Sequence, residues 1–304
     1  MTEAPSSQTW STEEPSRPAL HLLAERVGEL DQLDGGADRL SAAFRGVLGP
    51  GKLKDAISGT WLGHALHPLL TDVPIGTWTS ATMLDIIGGR GTEKAADRLI
   101  AVGVAAAVPT ALSGLSDWAD TTLTSDPVKR IGVVHAVANT MALGLYGLSF
   151  AARKRGSRGK GVALGLAGAG ALGVGGHLGG HLSYSRGVGV DQTAFEYGPG
   201  EWTSALGDGE LGEGESRTVD VADVTLMLTR REGRVYAMRD RCNHRGGPLS
   251  EGKVEDGCVV CPWHESAFRL EDGSVARGPA AAPQPTYDVR VREGSIEVRV
   301  PGGA

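Results

Sequence analysis

Four apolar segments in series constrain the fold of this chain more than any other feature. Each approaches the roughly 20 residues that an α-helix needs to cross the hydrocarbon core of a bilayer. Because every backbone polar group in lipid must be satisfied internally, a spanning segment of this length must be helical. Pro68 suits the first turn of a helix, and Gly88 with Gly89 suits its end. The sequence predicts four transmembrane helices, at residues 69–87, 99–116, 131–151 and 161–182.

Two of these segments, 99–116 and 161–182, are rich in alanine and glycine. Small residues allow membrane helices to approach one another closely. They also weaken the hydropathy signal, so a water-soluble, alanine-rich bundle is the alternative. Four such segments joined by short loops favour the membrane interpretation. The sequence therefore predicts a multi-pass protein of the cell membrane, with the lipid bilayer as a partner.

The composition changes on both sides of the apolar segments and divides the chain into regions. The start is polar and rich in Ser, Thr, Glu and Pro, which is typical of disorder. Apolar residues at helical spacing follow, with a break at Gly35–Gly36 that predicts two short amphipathic helices. After Tyr184, short β-branched runs between turn residues predict a small antiparallel β domain. The predicted fold class is α + β multidomain, with a disordered tail at 1–17, amphipathic helices at 18–58, a four-helix transmembrane domain at 59–184, a linker at 185–195 and an all-β domain at 196–304.

Charge and cysteine content exclude several classes of protein. The formal net charge is −6 and the chain has no basic stripe outside one short loop, so no nucleic-acid partner is expected. The first 20 residues lack the basic start and apolar run of a cleavable signal peptide. The chain has 3 cysteines, Cys242, Cys258 and Cys261, which do not form the even set of a disulfide scaffold.

Two cysteines and two histidines of the β domain form an ordered pattern. One residue separates Cys242 from His244, two separate Cys261 from His264, and sixteen lie between the pairs. Two thiolates suit one iron of a [2Fe–2S] pair, and two neutral imidazoles suit the other. Glycine and proline beside each pair supply the turns that let the ligands converge. The pattern predicts that these four residues bind one [2Fe–2S] cluster.

Other kinds of site use the same residue types. A zinc site can contain two cysteines and two histidines, but a zinc finger pairs cysteine with cysteine and histidine with histidine. A catalytic cysteine would explain only half of the pattern. An iron-dependent oxygenase would need a further domain with two histidines and one carboxylate at its iron. We therefore expect an electron carrier or an oxidoreductase subunit rather than a self-contained enzyme, and predict no catalytic residue.

Residues 196–300 resemble a Rieske ferredoxin-type domain through Cys-Asn-His-Arg-Gly-Gly-Pro-Leu and Cys-Pro-Trp-His-Glu-Ser-Ala-Phe. The resemblance implies electron transfer through the cluster. Rieske proteins of the cytochrome bc type carry a disulfide at positions that are Gly247 and Trp263 here, so that bridge is not expected. The serine that hydrogen-bonds a bridging sulfide in higher-potential members has a counterpart in Ser266, whereas the corresponding tyrosine is Phe268. Because hydrogen bonds to sulfur raise the potential, the resemblance implies an intermediate reduction potential.

Histidines collect at one face of the predicted bundle. In an alternating bundle, the starts of the first and third helices share a face with the ends of the second and fourth. Ionisable residues in membrane helices suggest a functional site. Histidines at this face could bind a b-type haem. The alternatives are a copper site, a quinone pocket, or hydrogen bonds to loops without any bound group. Residues 60–190 also resemble the DUF2231 membrane family, through His-Pro-Leu-Leu and Gly-His-Leu. The histidines that we expect to bind a b-type haem or a metal ion are His67, His135, His177 and His181.

These features predict a membrane-anchored protein that passes single electrons between a membrane donor, quinol or haem, and an acceptor protein. The alternatives are a quinol-oxidising enzyme subunit and a passively anchored, ferredoxin-like partner of an oxygenase. Basic residues at 90–98 and 153–160 flank the face opposite the β domain. The positive-inside rule then places the β domain on the extracytoplasmic side. The sequence does not indicate an oligomeric state.

Overall fold

The computed structural model describes residues 18–89 and 91–302, so the predicted disordered tail at 1–17 lies outside the described residues. Apolar periodicity near 3.6 residues gives way to short alternating runs near residue 200, and the structure changes from helix to strand there. The helices are α1 (Ala19–Gly28), α2 (Asp34–Val47), α3 (Lys52–Ser58), α4 (Leu66–Ile87), α5 (Glu93–Thr121), α6 (Asp126–Lys154) and α7 (Arg158–Gly180), the last continued by a π-helical turn at His181–Ser185.

The break between the first two helices lies before the position that the sequence predicts. Gly35 and Gly36 lie in the first turn of α2, and the backbone leaves helical geometry at Leu30 instead. The cause is a tertiary contact, because Arg130 of α6 donates from Nε to Oδ1 of Asp34 at 2.9 Å and fixes the start of α2. This hydrogen bond lowers the pKa of Asp34 to about 2. The predicted break at Gly35–Gly36 is wrong, and a third short helix, α3, precedes the bundle.

Helices α4 to α7 pack around aromatic and small residues. Helix α4 packs on α5, and α6 packs on α7. Trp78 stacks on Tyr146 with ring centroids 4.5 Å apart, and its indole N–H donates to the carbonyl of Ile100 at 3.3 Å. Gly103 makes room for this indole, because a Cβ there would lie 2.3 Å from Nε1 of Trp78. A residue without a side chain is therefore required where α5 crosses α4.

We expect Gly103→Val to destabilise the bundle, since its side chain would overlap the Trp78 indole. Overpacking of this kind typically costs about 1–3 kcal/mol. Gly144→Val in α6 is the matched control, because nothing lies within 4 Å of a Cβ at that position. Thermal unfolding followed by circular dichroism should show a lower midpoint for the first variant alone. Equal midpoints for the two variants would contradict this packing.

Among the described residues, 3 helices rather than four are long and apolar enough to cross a membrane. They are α5, α6 and α7 together with its π-helical turn. Helix α4 has 22 residues but is less apolar, because it contains His67, Asp72 and Asp85 along with several threonines. The prediction of four transmembrane helices is corrected to three helices of that kind, with a more polar α4 packed beside them.

The β domain contains two antiparallel sheets, of six and four strands. In chain order the strands are β1 (Thr203–Gly207), β2 (Ser216–Val221), β3 (Val224–Arg231), β4 (Arg234–Arg239), β5 (Lys253–Glu255), β6 (Cys258–Val260), β7 (Ala267–Arg269), β8 (Val275–Arg277), β9 (Thr286–Arg292) and β10 (Ser295–Arg299). The larger sheet has the order β1-β10-β9-β4-β3-β2, and the smaller has the order β5-β6-β7-β8.

Alternation along β3 divides the interior of this domain into two cores. Leu226 and Leu228 point to one side, where they pack with residues of β10 such as Ile296. Met227, between them, points to the other side and joins a second core that contains Cys242 and Cys261. Successive side chains of a strand face opposite sides of a sheet, so one strand supports both the main apolar core and the cysteine loops.

Candidate metal centre

Two loops of matching conformation present the four predicted ligands. The first follows β4, and its Gly246 N–H donates to the carbonyl of Cys242 at 2.8 Å. The second joins β6 to β7, and its Glu265 N–H donates to the carbonyl of Cys261 at 3.0 Å. Gly246 and Glu265, each four residues after its cysteine, have φ values of 81° and 60°. The left-handed residue turns each loop back so that the cysteine and the histidine face the same way.

A buried amide fixes the first loop from behind. Gln284 accepts from the N–H of Asn243 at 3.0 Å, and its Nε2 donates to the carbonyls of Arg239 and Arg241 at 2.9 and 2.8 Å. Asn243 in turn donates from Nδ2 to the carbonyl of Ala282 at 2.8 Å. Because buried polar groups without partners are costly, this network holds the loop in one conformation. The sequence did not indicate Gln284, because it lies outside both motifs along the chain.

The thiols of Cys242 and Cys261 are buried, are not joined in a disulfide, and hydrogen-bond to each other. The hydrogen bond between the two thiols lowers the pKa of Cys261 to about 7, and the same bond together with burial raises the pKa of Cys242 well above its usual value. Backbone N–H groups also donate to the sulfurs, from His244 to Cys242 and from His264 to Cys261. Amides that converge on sulfur favour the thiolate, the form that binds metals.

The two imidazoles lie side by side. The ring centroids of His244 and His264 are 5.1 Å apart, with the planes at 89°. Burial lowers the pKa of His264, and lowers that of His244 well below its usual range. Both rings are therefore neutral near pH 7, and a neutral imidazole is the form that binds a metal.

Both imidazoles turn Nε2 toward one residue of the helical region, Asp120 at the end of α5. Nε2 of His264 lies 2.8 Å from the carbonyl oxygen of Asp120, and Nε2 of His244 lies 3.8 Å from its carboxylate Oδ2. A carbonyl oxygen can only accept, so Nε2 of His264 carries the proton and Nδ1 carries the lone pair. A hydrogen bond of this kind orients a metal-binding histidine and sets its tautomer.

This donor set fits a [2Fe–2S] cluster with unequal irons. Two sulfurs lie in contact with each other, and two imidazoles keep Nδ1 for the second iron. The backbone at Gly247 approaches closely, because a Cβ there would lie 2.9 Å from Sγ of Cys261. The structure therefore brings the four predicted residues together in an arrangement that could hold the cluster.

A buried ion pair holds Asp120 in place against the histidines. Lys54 of α3 donates from Nζ to Oδ1 and Oδ2 of Asp120 at 3.1 and 2.9 Å, and to Oγ of Ser116 at 2.9 Å. The side chains of Lys54 and Asp120 are 7 % and 5 % exposed. Because an unpaired buried charge is strongly unfavourable, neither partner can leave without the other.

Further contacts fasten the β domain to the helices close to this pair. Oδ1 of Asp55 accepts from the backbone N–H of Gly278 at 2.9 Å, and Oγ1 of Thr60 donates to the carbonyl of Ala280 at 3.2 Å. A Cβ at Gly278 would lie 2.3 Å from Oγ1 of Thr60, so this contact needs glycine. The histidine edge of the site is thus covered by the chain's own helical region.

Residues with an expected role in tuning lie beside the loops. Ser266 and Phe268 are fully buried, and Phe268 belongs to the apolar core that contains Cys242 and Cys261. Oγ of Ser266 accepts from the N–H of Ala280 at 2.9 Å, which leaves its own hydroxyl proton to be donated elsewhere. Trp263, in contrast, is 41 % exposed on the outer rim of the second loop.

His67 and His135 face each other inside the bundle. Their ring centroids are 6.5 Å apart. Nδ1 of His67 lies 3.0 Å from the carbonyl oxygen of Thr110, and Nδ1 of His135 lies 2.8 Å from that of Gly175. Each ring therefore donates from Nδ1 and carries its lone pair on Nε2, and Nε2 of His135 also lies 3.3 Å from Nδ2 of Asn139.

His177 and His181 do not join that pair, so the predicted group of four histidines does not form one site. Nε2 of His177 lies 3.2 Å from the carbonyl oxygen of Leu20, and Nε2 of His181 lies 3.0 Å from Oε1 of Glu25. Leu20 and Glu25 belong to α1, which packs across α6 near the end of α7. This packing of α1 directs the two histidines away from His67 and His135, and the sequence pattern did not reveal it.

Comparison with known proteins agrees with this geometry. Residues 201–288 match the family model described as Rieske [2Fe-2S] domain, and residues 63–192 match the one described as predicted membrane protein (DUF2231). The chain is 33% identical over 100 residues to the anthranilate 1,2-dioxygenase ferredoxin subunit of Burkholderia cepacia, which covers 33% of this chain and 93% of that protein. It is 38% identical over 93 residues to the 3-phenylpropionate/cinnamic acid dioxygenase ferredoxin subunit of Escherichia coli (strain K12), which covers 30% of this chain and 87% of that protein.

A solved structure is similar to about a third of the chain. The ferredoxin of carbazole 1,9a-dioxygenase from Nocardioides aromaticivorans IC177 is 26% identical and aligns with 33% of this chain and 97% of its own, with a TM-score of 0.32. The sequence matches span most of each ferredoxin subunit. By these matches and by the loops described above, the chain belongs to the Rieske [2Fe–2S] family, with its Rieske domain at residues 201–288 preceded by a membrane-protein domain.

Proposed function

We propose that this chain is a membrane-anchored electron-transfer protein, in which Cys242, Cys261, His244 and His264 hold one [2Fe–2S] cluster. The observation that carries the proposal is the convergence of two free thiols and two neutral imidazoles in loops of matching conformation. A cluster with these ligands accepts and returns one electron, at a potential of roughly −150 to +300 mV. It supplies no bond-making chemistry of its own, so the protein's part is to hold, shield and orient it.

The chain's own residues set the environment of the cluster. Loop amides donate to both sulfurs, and the carbonyl of Asp120 orients the ring of His264. Hydrogen bonds to sulfur raise the potential. Ser266 can add one such bond, whereas Phe268 has no hydroxyl to add another. An intermediate potential follows, as the resemblance implies.

Ser266→Ala is expected to lower the midpoint potential without loss of iron, because it removes a hydroxyl donor beside the cysteine loops. Ser274→Ala is the matched control, since Oγ of Ser274 contacts Arg269 on the outer side of the same small sheet at 3.0 Å. A redox titration followed by electron paramagnetic resonance measures both. Equal potentials in the two variants would show that Ser266 does not act on the cluster.

The covered histidine edge supports a donor within the membrane, a quinol or a haem. Because Nε2 of each cluster histidine faces α5, an electron that enters through the histidines passes by way of the helical region. The facing pair His67 and His135 is where a haem or a metal ion would bind, since each ring keeps its lone pair on Nε2. His67 contacts Thr110, which precedes Asp120 by ten residues of α5, about 15 Å along the helix.

Anaerobic titration of the full chain in detergent tests this donor. A quinol should reduce the cluster, seen as loss of visible absorption and gain of a paramagnetic signal. The same optical spectrum shows whether haem is present. A haem band should disappear in His135→Ala and remain in His177→Ala, because His177 is exposed. If dithionite reduces the cluster and quinol does not, quinol is not the donor.

A second candidate is a membrane-held ferredoxin that serves an oxygenase, because the two curated relatives are ferredoxin subunits of dioxygenases. The surface that a soluble partner could reach is the outer rim of the second loop, where Pro262, Trp263 and Glu265 are exposed. Trp263→Ala should then slow reduction by a soluble ferredoxin reductase several-fold while reduction by quinol is unchanged. No effect on the soluble reductase would remove this candidate.

We place the chain in the cell membrane with its Rieske domain on the extracytoplasmic side. The basic residues at the opposite end support this, although Arg153 and Arg158 both pair with Asp85 and so contribute less net charge than the sequence suggests. Proteolysis of intact cells tests the placement, since an outward domain is cut without lysis. Cleavage only after lysis would place the Rieske domain on the cytoplasmic side.

A further inference from the structure

A second group of metal-binding side chains lies where α1 meets the end of α7. His21 and Glu25 are four residues apart and therefore share one face of α1. His181 comes from the first residue of the π-helical turn that ends α7. The imidazoles of His21 and His181 have centroids 5.2 Å apart, and the three ligand atoms all lie within 4.8 Å of one another.

The buried Nε2 of His181 lies beside the carboxylate of Glu25 without forming a hydrogen bond to it. Its side chain is 3 % exposed, and Nε2 lies 3.0 Å from Oε1 of Glu25. This approach lies off the direction that a hydrogen bond requires, so Nε2 is left without one. A buried polar atom without a hydrogen bond is unfavourable in a folded protein. Ligand atoms that converge on a common ion show this pattern, because they aim at the ion and not at one another.

The distances suit a small divalent metal ion. In four-coordinate zinc, bonds of about 2.0–2.1 Å place neighbouring ligand atoms about 3.3 Å apart. Oε1 of Glu25 lies 3.0 Å from Nε2 of His181 and 4.0 Å from Nε2 of His21. Two histidines and one glutamate form a zinc ligand set that leaves a fourth position for water. We propose that His21, Glu25 and His181 bind a divalent transition-metal ion, Zn²⁺ or one of similar chemistry.

The surroundings fix the proposed ligands in place. Arg186 pairs with Oε2 of Glu25, which orients the carboxylate and leaves Oε1 for the metal. Ala24, between the two ligands of α1, is fully buried in a core with Ile131 of α6 and Leu178 of α7. The backbone that presents His21 and Glu25 is therefore already held against α7 before any ion binds.

A metal ion at this position would tie the N-terminal helix to the point where the chain leaves the bundle for the Rieske domain. The segment after Arg186 runs directly to Gln192, whose N–H donates to the carbonyl of Asn243 in the first cluster loop at 3.0 Å. The site uses none of the cluster ligands. Its test is thus independent of the proposed electron transfer.

Equilibrium dialysis of the full chain, loaded with its cluster, against micromolar Zn²⁺ tests the site. Elemental analysis should find one zinc per chain with the iron content unchanged, so that zinc in place of the cluster is recognised by lost iron. His181→Ala should abolish this zinc, and His21→Ala, at a half-exposed residue that folding tolerates, should weaken it at least about 10-fold. His177→Ala removes a hydrogen bond to α1 one turn away and should retain the zinc.

Two results would overturn the site. One is a wild-type chain with full iron that takes up no zinc under these conditions. The other is equal zinc binding by the wild type and His21→Ala, which would place the metal elsewhere.

Discussion

Replacing Cys261 with serine is expected to remove the iron from this protein. A serine hydroxyl does not ionise near neutral pH and cannot replace the thiolate that holds one iron of the cluster. The buried sulfur also hydrogen-bonds to Cys242 and accepts from loop amides. Iron should fall from about two atoms per chain to nearly none, with loss of the visible absorption. Elemental analysis and an optical spectrum of the full chain measure both.

Cys258→Ser is the matched control for this experiment. Cys258 lies on β6, three residues before Cys261, is half-buried, and is absent from the core that holds the two ligand cysteines. This variant should keep its full iron content. Retention of iron by Cys261→Ser, or equal loss of iron from both variants, would refute the ligand assignment.

Replacing Lys54 with methionine is expected to destabilise the contact between α3 and α5 on which the cluster histidines rest. The substitution leaves the carboxylate of Asp120 buried without its partner, and breaking a buried ion pair on one side costs about 3–5 kcal/mol. Because Asp120 also contacts His264 and lies near His244, the spectrum of the reduced cluster should change as well. Denaturant unfolding gives the stability, and hydrogen exchange at residues 52–58 and 242–247 shows where the structure opens.

Two further variants separate the ion pair from a general loss of charge. Lys52→Met alters an exposed lysine of the same helix and should leave stability unchanged. Lys54→Met combined with Asp120→Asn removes both charges and should recover most of the lost stability, as matched removal of a buried pair often does. Equal stability of the Lys52 and Lys54 variants would show that this ion pair does not stabilise the helices beside the cluster histidines.

The sequence predicts the cluster loops well because their signal is local. Spacing alone relates Cys242 to His244 and Cys261 to His264, and the neighbouring glycine and proline residues supply the turns. The division into a helical region and a β domain follows equally from local periodicity. In each case, residues close in sequence carry the information.

The contacts of the helical region with the cluster loops could not be predicted in the same way. Lys54 and Asp120 lie 66 residues apart, and Asp120 and His264 lie 144 apart. In the sequence, Asp120 is an acidic residue at the end of an apolar helix, and Lys54 is a lysine in a short amphipathic helix. Both kinds of residue are common at exposed helix ends. Only the fold turns them into a buried pair against the histidine edge.

The prediction that the four histidines of the bundle form one site was wrong for a related reason. Hydropathy placed His67, His135, His177 and His181 at one face, but it says nothing about how each helix is rotated or what lies across its end. Helix α1 covers that end and provides Glu25 and the carbonyl of Leu20 as partners for His181 and His177. In the same way, Arg130 fixes the start of α2 at Asp34, before the glycines that suggested a break.

The most direct test of this account is nitrogen coupling to the reduced cluster. The full chain, labelled with ¹⁵N-histidine and reduced without air, should give a paramagnetic signal coupled to two histidine nitrogens, with both couplings lost in an iron-free Cys261→Ser chain. A folded protein that is colourless and free of iron, or a cluster without histidine nitrogen coupling, would contradict it.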